Sequence, residues 1–423
     1  MLIKNTNILN EFFEIEKDVD LYIENEWIRA IGHDLIISDP DIFDGSGVLF
    51  MPGLIDAHTH CGQQLLKGSV LDAQGLIWQN IMLPFESSLD EATMKLNASL
   101  CALEMIRNGT TSFMDAGSYH MDVACDVFGK SGLRGNLTRS TMDDLNLPLS
   151  IRESVHEAIE KNRQLYKNHK SHETLEISYS LRSLLSVSEE LILAVGKQAK
   201  KDRCLIQAHM NEYQKEVDVI RKKRGLSPYE YLESLGVLDH NFVGAHSLIL
   251  TKREYEILKK YDISVVHCPF SNSGKALADI QTLRAYGINV ALGSDGVAHG
   301  GLSLFNEMRQ YRCMMKVTNL NSSVLDAKEL LKIATVNGAK AMHKKYLGQI
   351  KTGYLADMIG IDLQDIAFAG SQNWLHSIVE STQSQSILHS MVHGKWLMKD
   401  RQILTLDEKK ILKAAQDRSC HLC

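Results

Sequence analysis

Residues 54–60 read Leu54-Ile55-Asp56-Ala57-His58-Thr59-His60, an apolar run that ends in two histidines. Such a run indicates a buried β-strand. Side chains two residues apart in an extended chain point the same way, so both imidazoles can face one metal ion. Two histidines at this spacing also occur by chance, so their interpretation depends on the rest of the chain.

Seven more strand-like runs follow over about 240 residues, and charged, helix-like segments such as residues 189–200 and 252–260 lie between them. The eight strand candidates are residues 54–58, 111–115, 133–139, 175–180, 204–209, 242–246, 263–268 and 289–295. Strands that alternate with helices indicate βαβ units and a parallel sheet. Eight such units predict an α/β fold of the (β/α)8, or TIM, barrel type.

Both ends of the chain also contain short strand-like segments. Residues 19–23 and 27–32 lie near the start, and residues 356–361 and 390–396 lie near the end. Apolar and polar side chains alternate in the first two segments, which is the pattern of a half-buried strand. We therefore expect the two ends to pair into one small β module.

The composition is that of an ordinary globular protein. The chain has 423 residues and a formal net charge of −6, which excludes a strongly cationic nucleic-acid binder. No apolar run reaches the ~18 residues that span a bilayer, and the N-terminus lacks the layout of a signal peptide. The 8 cysteines are scattered, which favours a cytoplasmic protein without structural disulfides. We interpret the terminal pair Cys420 and Cys423 as part of a frayed tail.

The ends of the later strand candidates carry residue types that bind metals. His209, His246 and Asp295 each stand at the last position of an apolar run, where a barrel places its active site. Three neutral imidazoles and one carboxylate suit one divalent ion, with Zn²⁺ favoured over Fe²⁺, and leave a position for water. The ion lowers the pKa of that water. We predict His58, His60, His209 and Asp295 as the ligands.

Two further residues are candidates for proton transfer. His246 is either another ligand or a base and orienting group beside the water, and we favour the second role because four ligands already fill a mononuclear site. Glu212 follows His209 by three residues, so its carboxylate can carry a proton from the water to a leaving nitrogen. Asp295 can bind the metal and also accept the proton of the water. We expect a structural or supporting role for His267.

Four motifs resemble those of the amidohydrolase superfamily. They are Met51-Pro52-Gly53-Leu54-Ile55-Asp56-Ala57-His58-Thr59-His60, Gln207-Ala208-His209-Met210-Asn211-Glu212, Gly293-Ser294-Asp295-Gly296 and Gly353-Tyr354-Leu355-Ala356-Asp357-Met358. The chain looks most like the S-adenosylhomocysteine and methylthioadenosine deaminase branch, which includes triazine hydrolases and neighbours guanine deaminases. The resemblance implies a β-sandwich from residues 1–52 and 350–405, a metal-dependent barrel over residues 53–349, and a C-terminal helix and tail over residues 406–423.

The resemblance also concerns the number of metal ions. A histidine followed three residues later by glutamate, as in His209 and Glu212, marks the mononuclear aminohydrolases of this superfamily. Dinuclear members use a modified lysine from strand four, and the corresponding residues 177–182 contain no lysine. The resemblance therefore implies a single divalent ion.

Some substrate contacts carry over from the nucleoside deaminases. Glu86 in Leu83-Pro84-Phe85-Glu86 resembles a glutamate that binds ribose hydroxyls, and Trp78 resembles an aromatic wall of the pocket, although a core position is the alternative. Arg139 and Arg152 resemble two arginines that bind the homocysteine carboxylate, a group that a guanidinium fork matches well. A solvated position at a helix start is the alternative for Arg152.

Two positions depart from the branch. Arg182 stands where the branch has a histidine that contacts the purine, and an arginine only donates hydrogen bonds. Arg182 therefore favours a ligand with a carbonyl or an anionic group. His299, close after Asp295, changes the lip of the pocket.

We predict that the protein deaminates a purine nucleoside, such as S-adenosylhomocysteine, methylthioadenosine or adenosine, by attack of metal-bound hydroxide. The alternatives are a guanine- or pterin-type deaminase, a triazine-type hydrolase and, more remotely, a metal-free assembly protein. The partner is then a small N-heterocycle, with neither nucleic acid nor membrane involved. Relatives often form dimers or larger assemblies, so the prediction leaves room for a homo-oligomer.

Overall fold

The computed structural model describes residues 1–38, 40–73 and 77–419. The strands are β1 (Leu2–Leu9), β2 (Ile15–Glu24), β3 (Trp27–Gly32), β4 (Ile42–Asp44), β5 (Val48–Pro52), β6 (Leu54–Thr59), β7 (Thr110–Asp115), β8 (Arg134–Leu137), β9 (Leu175–Ile177), β10 (Tyr179–Leu181), β11 (Ile206–Met210), β12 (Phe242–His246), β13 (Ser264–His267), β14 (Val290–Leu292), β15 (Met358–Asp362), β16 (Ile387–Val392), β17 (Lys395–Lys399) and β18 (Gln402–Ile403).

The α-helices are α1 (Leu83–Ser87), α2 (Glu91–Arg107), α3 (Met121–Ser131), α4 (Val155–His169), α5 (Glu189–Asp202), α6 (Gln214–Arg224), α7 (Pro228–Ser234), α8 (Lys252–Lys260), α9 (Pro269–Asn272), α10 (Ile280–Ala285), α11 (Leu304–Asn319), α12 (Ala327–Ile333), α13 (Val336–Ala341), α14 (Trp374–Glu380) and α15 (Glu408–Ser419). Short 3₁₀ helices cover Cys61–Leu66 and Ser384–Ser386, and a π-helical turn covers Trp78–Met82.

Two parallel sheets form the centre of the molecule. One has the order β6-β7-β8-β9 and the other has the order β10-β11-β12-β13-β14. The sheets meet at β9 and β10, which follow one another in the chain, and again where the backbone N–H of Asp295 donates to the carbonyl of His58 over 2.9 Å. The strands therefore occur in the order, and with the neighbours, that the predicted barrel requires.

The strand predicted over residues 175–180 is divided in the structure into β9 and β10, which belong to different sheets. Consecutive N–H groups of an extended chain point to opposite sides. That of Ser178 bonds to the carbonyl of Leu137 over 2.8 Å, and that of Tyr179 bonds to the carbonyl of Leu205 over 3.0 Å. The segment therefore links β8 on one side to β11 on the other and joins the two sheets.

Both chain ends contribute to one nine-stranded sheet, as predicted. Its order is β18-β17-β16-β15-β5-β1-β2-β3, and β4 pairs with β1. The predicted strand over residues 390–396 is wrong, because a tight turn divides it into β16 and β17. His393 and Gly394 adopt φ values of 56° and 70°, which are the left-handed values that a two-residue hairpin turn needs.

A hydrogen-bonded clamp holds the end of β6 against the segment after β14. Asp56 accepts from the backbone N–H of Ser294 over 3.0 Å and also from the Ser294 hydroxyl. A Cβ at Gly293 would lie 2.8 Å from the carbonyl oxygen of His58, so only glycine permits this approach. The clamp brings the histidines of β6 and Asp295 to the same end of the sheets.

Helix α15 packs against α2, where Arg107 Nε donates to Glu408 over 2.7 Å. The six described cysteines are free, and Cys420 and Cys423 lie outside the described residues. No described helix is long and apolar enough to cross a bilayer. The predicted cytoplasmic location stays a prediction.

Candidate functional site

Four predicted metal ligands converge at the carboxyl ends of the central strands. His58 and His60 come from the end of β6, His209 from β11, and Asp295 from the segment after β14. The Nε2 atoms of His60 and His209 are 3.2 Å apart, and Oδ1 of Asp295 lies 3.3 Å from Nε2 of His60. Nε2 of His58 is 3.7 Å from the same oxygen. His58, His60 and His209 form one group that could hold a metal ion, and His58, His246 and Asp295 form a second group that shares His58.

The chemistry of the imidazoles also fits a metal ion. Nε2 of His58 and Nε2 of His246 are buried and have no hydrogen-bond partner among the described residues. A buried nitrogen without a partner costs free energy, which a bound cation offsets. Burial lowers the pKa of His58 and of His209 well below the ordinary histidine value, so both rings are neutral, as metal ligands must be.

Asp295 is held as a carboxylate. Burial by itself raises the pKa of its carboxyl group, but the hydrogen bond from His60 and the neighbouring imidazoles keep that pKa well below the usual range. Ser271 donates its hydroxyl to Oδ2, and the backbone N–H of Gly296 donates to Oδ1 over 2.8 Å. Asp295 has a φ of 59°, which lies in the left-handed region that few residues other than glycine, asparagine and aspartate adopt.

His246 lies at the end of β12 and faces the same point. Its Nε2 is 4.0 Å from Asp295 Oδ2 and 3.8 Å from Glu212 Oε2. Its Nδ1 donates to the Oδ1 of Asn272 over 3.0 Å, and the Nδ2 of Asn272 donates to His267 Nδ1, also over 3.0 Å. This chain of hydrogen bonds makes Nδ1 of His246 a donor and turns Nε2 towards the site. Asn272 thus links His246 to His267, and the supporting role of His267 stays a prediction.

Glu212 is fixed at both of its ends by residues that sequence reasoning missed. Glu216 Oε2 accepts the backbone N–H of Glu212 over 3.0 Å, and Lys275 Nζ lies 2.6 Å from Glu212 Oε1. Burial raises the pKa of Glu212, but His246 and Lys275 reverse that effect, so the net pKa is lowered. Burial and the nearby Glu212 raise the pKa of Glu216 to about 8. The i, i+4 spacing of the two glutamates was the available signal.

Arg182 is paired inside the protein. Its Nη2 donates to Glu86 Oε1 over 3.1 Å, and its Nη1 donates to the Nδ1 of His60 over 2.9 Å. Gln63 donates to the same oxygen of Glu86 over 2.8 Å, whereas Glu86 Oε2 is buried without a partner among the described residues. Because Nδ1 of His60 accepts from Arg182, it is Nε2 of that ring that faces His209 and Asp295.

A cavity of about 300 Å³ opens above the converging side chains. His60, His209, Glu212, Lys275 and Asp295 line its inner end together with Arg182. Trp78 and His299 also line it, and the outer wall includes the apolar side chains of Leu83 and Leu147. The Nε1 of Trp78 is buried and has no partner among the described residues, so it is a free donor in the wall.

The structure does not bring Arg139 and Arg152 to this cavity. Arg139 forms a two-pronged ion pair with the buried Glu153, whose Oε1 also accepts from Lys161 Nζ over 2.6 Å. Its guanidinium stacks over Tyr119, 5.4 Å from the ring centre. Arg152 is exposed and donates to the backbone carbonyl of Leu147. Glu86 also lies outside the residues that line the cavity, beneath Arg182.

Comparisons with known proteins agree with this geometry. The family model described as Amidohydrolase family matches residues 49–397. The chain is 36% identical over 405 residues to a 5-methylthioadenosine/S-adenosylhomocysteine deaminase of Thermococcus sibiricus, covering 94% of each chain. It is 32% identical to a 5'-deoxyadenosine deaminase of Methanosphaera stadtmanae, over 97% of this chain and 96% of that protein.

Among solved structures, an adenosine deaminase from Xanthomonas campestris with bound zinc superposes with a TM-score of 0.93. It is 22% identical and covers 99% of this chain and 98% of its own. At that identity the likeness concerns the fold, and together with the family match it supports the predicted TIM barrel.

Proposed function

Because the chain belongs to the amidohydrolase family, we propose that it is a metal-dependent hydrolase that releases the 6-amino group of an adenosine-type nucleoside as ammonia. The bond that breaks is a carbon–nitrogen bond of a cyclic amidine. One observation carries the proposal: His58, His60 and His209 form one group of potential metal ligands, and His58, His246 and Asp295 form a second that shares His58. Glu212 lies beside the second group, 3.8 Å from His246. Two relatives that match over nearly the whole chain are named as deaminases of 5'-modified adenosines.

His58, His60, His209 and Asp295 are the residues that would hold the metal, and we propose Zn²⁺. When bound, the ion supplies an activated water at neutral pH, because it lowers the pKa of that water. The neutral imidazoles of His58 and His209 and the ionised Asp295 are already in the protonation states that metal ligands need.

Glu212 is the proposed proton carrier. Its Oε2 faces the site, and the lowered pKa keeps it ionised and able to accept a proton from the attacking water. It then protonates the ring nitrogen beside the carbon that carries the amino group. Asp295 and His246, 4.0 Å apart, accept the remaining proton of the water and pass it to the amino group, which leaves as ammonia as the ring carbon becomes a carbonyl.

We propose substrate contacts in the wall of the cavity and at its inner end. Trp78 offers an unpartnered indole N–H in the cavity wall. Glu86 lies beneath Arg182 and outside the residues that line the cavity, so its contact with a ribose hydroxyl requires that Arg182 first move. Arg182 lies between Glu86 and the metal site and completes the inner wall. For Arg139 and Arg152, contact with a substrate carboxylate requires that Glu153 first release Arg139.

We also propose the domain organisation that the resemblance implies. The terminal strands over residues 1–52 and 350–405 form a β-sandwich, and residues 53–349 form the barrel. The pairing of β5 with β15 joins the two chain ends and supports this division.

A second candidate is a deaminase of free bases. The ion pair between Glu86 and Arg182 favours it, because Glu86, the residue proposed to bind ribose, is already occupied by Arg182. Ammonia release by the metal-replete protein tests both candidates. The panel is S-adenosylhomocysteine, methylthioadenosine, 5'-deoxyadenosine, adenosine, guanine, a pterin and an aminotriazine. Turnover of the nucleosides supports the first candidate, and turnover of the free bases alone replaces it by the second. No ammonia from any compound, with the metal confirmed, contradicts both.

A further inference from the structure

Lys275 is the cation that contacts the proposed proton carrier. It follows α9 on the loop after β13, whereas Glu212 follows β11, so the contact joins the loops of two different strands. Gly274, with a φ of 85°, supplies the left-handed turn just before it. The Lys275 side chain is only 10% exposed and lines the inner cavity.

The two carboxylate oxygens of Glu212 have different surroundings. Oε1 lies 2.6 Å from the Lys275 ammonium, whereas Oε2 has His246 Nε2 at 3.8 Å, beyond hydrogen-bond distance. A glutamate carboxylate without a partner rotates about its last bond and exchanges its two oxygens. The contact with Lys275 makes the two oxygens inequivalent, because it binds Oε1 and keeps Oε2 facing the site.

Lys275 is itself held in place. Its ammonium lies 3.4 Å from the Ser271 hydroxyl, and Ser271 in turn donates to Asp295. The ammonium also lies 4.9 Å from the centre of the Tyr213 ring, which covers it from the side of α6. A buried lysine with these partners has little rotameric freedom, so it holds the Glu212 carboxylate in one position.

We propose that Lys275 is a positioning residue that binds Glu212 Oε1 and thereby reserves Oε2 for proton transfer. This inference rests on the proposed function, in which Glu212 carries the proton. Lys275 acts through Glu212 and has no separate role in substrate binding. Its loss therefore lowers kcat and leaves KM nearly unchanged, since a misplaced group near the reacting atoms costs about 10²-fold in rate.

The test is a double-mutant cycle on the metal-replete protein with the best nucleoside of the panel. Lys275→Met removes the charge and keeps the length of the side chain, and Lys275→Arg restores a cation. We expect kcat to fall by about 10²-fold in Lys275→Met, with KM within roughly threefold of wild type, and to recover in part in Lys275→Arg. In a Glu212→Gln background, Lys275→Met then costs nothing further, because residues that act as a unit are not additive.

Metal content and the midpoint of thermal unfolding are measured for each variant, and Lys260→Met serves as the matched control. Lys260 also binds a glutamate, Glu233, over 2.8 Å, but on the surface of α8. The proposal is overturned by losses that multiply in the double variant, by a change confined to KM, or by full activity of Lys275→Met. If Lys275→Met fails to fold, the kinetics of Lys275→Arg test the proposal instead. The proposal then requires that Lys275→Arg have an unchanged KM and a partly reduced kcat. Wild-type activity in Glu212→Gln alone contradicts the proposed function instead.

Discussion

Arg182 donates from Nη1 to Nδ1 of His60 over 2.9 Å, so a buried guanidinium stands directly behind a proposed metal ligand. The same side chain neutralises Glu86, and both are almost completely buried, with side-chain exposures of 2% and 0%. A buried cation in contact with a metal ligand is tolerated only because a buried carboxylate pairs with it. The Glu86–Arg182 pair is therefore part of the frame of the site.

Arg182→Met leaves Glu86 buried without its cation. We expect this variant to lose roughly 3–5 kcal/mol of stability, because a buried charge loses its partner. Adding Glu86→Gln removes the unpaired charge and restores a large part of the loss. The midpoints of thermal unfolding of the single and double variants measure this, and Arg163→Met, which breaks a pair on the surface of α4, is the control. Equal stability of Arg182→Met and wild type contradicts the expectation.

Glu216 predicts a dependence of stability on pH. Its pKa is about 8 in the folded protein, above the ordinary glutamate value of 4.5. Between these values the unfolded chain releases a proton that the folded protein retains, so stability falls as the pH rises from about 4.5 to about 8. Glu216→Gln should therefore raise the unfolding midpoint more at pH 8.5 than at pH 5.5.

The matched control for this prediction is Glu157→Gln. Glu157 is the third residue of helix α4, as Glu216 is of helix α6, but Glu157 is exposed and hydrogen bonds to Ser154 lower its pKa. Glu157→Gln should therefore not raise the unfolding midpoint more at pH 8.5 than at pH 5.5. An equal gain for Glu216→Gln at both pH values would mean that the Glu216 carboxyl does not titrate as described.

Metal removal should abolish ammonia release reversibly. The two groups of potential ligands share His58, so we expect about one ion per chain after reconstitution with Zn²⁺ and no activity after chelation. His209→Ala should retain much less metal than the wild type. Elemental analysis together with ammonia assays measures both quantities, and two tightly bound ions per chain would contradict the mononuclear site.

The 5'-substituent of the nucleoside should affect turnover through Arg139. Glu153 already binds Arg139, and Tyr119 and Leu147 belong to an apolar cluster beside the cavity. We therefore expect kcat/KM for methylthioadenosine and 5'-deoxyadenosine to exceed that for S-adenosylhomocysteine by at least about tenfold, since a carboxylate without a partner binds poorly. Glu153→Gln releases Arg139 and should narrow the ratio. A preference for S-adenosylhomocysteine in the wild type contradicts this assignment.

The strand ends could be read from the sequence because period and residue type act locally. His58, His60, His209 and Asp295 each end an apolar run, and the parallel arrangement of the strands brings such ends together. Helix α8 was predicted with its observed bounds, because its charged and apolar residues alternate with helical period.

The rest depended on contacts between distant loops. Lys275 reaches Glu212 across 63 positions of the chain, and Arg182 reaches Glu86 across 96. No spacing between residues in the sequence predicts such pairs. The division of this segment into β9 and β10 was missed because it depends on the neighbours with which each part pairs, β8 and β11.

The proposed role of Glu212 is tested by measuring ammonia release from methylthioadenosine, and bound metal, in the same preparations of wild type and Glu212→Gln. We expect the wild type to release ammonia, and Glu212→Gln to bind the same amount of metal but turn over roughly 10²–10⁴-fold more slowly, the usual loss for a missing proton-transfer group. Near wild-type turnover in Glu212→Gln, or a wild type that holds metal and leaves the nucleoside unchanged, would contradict it.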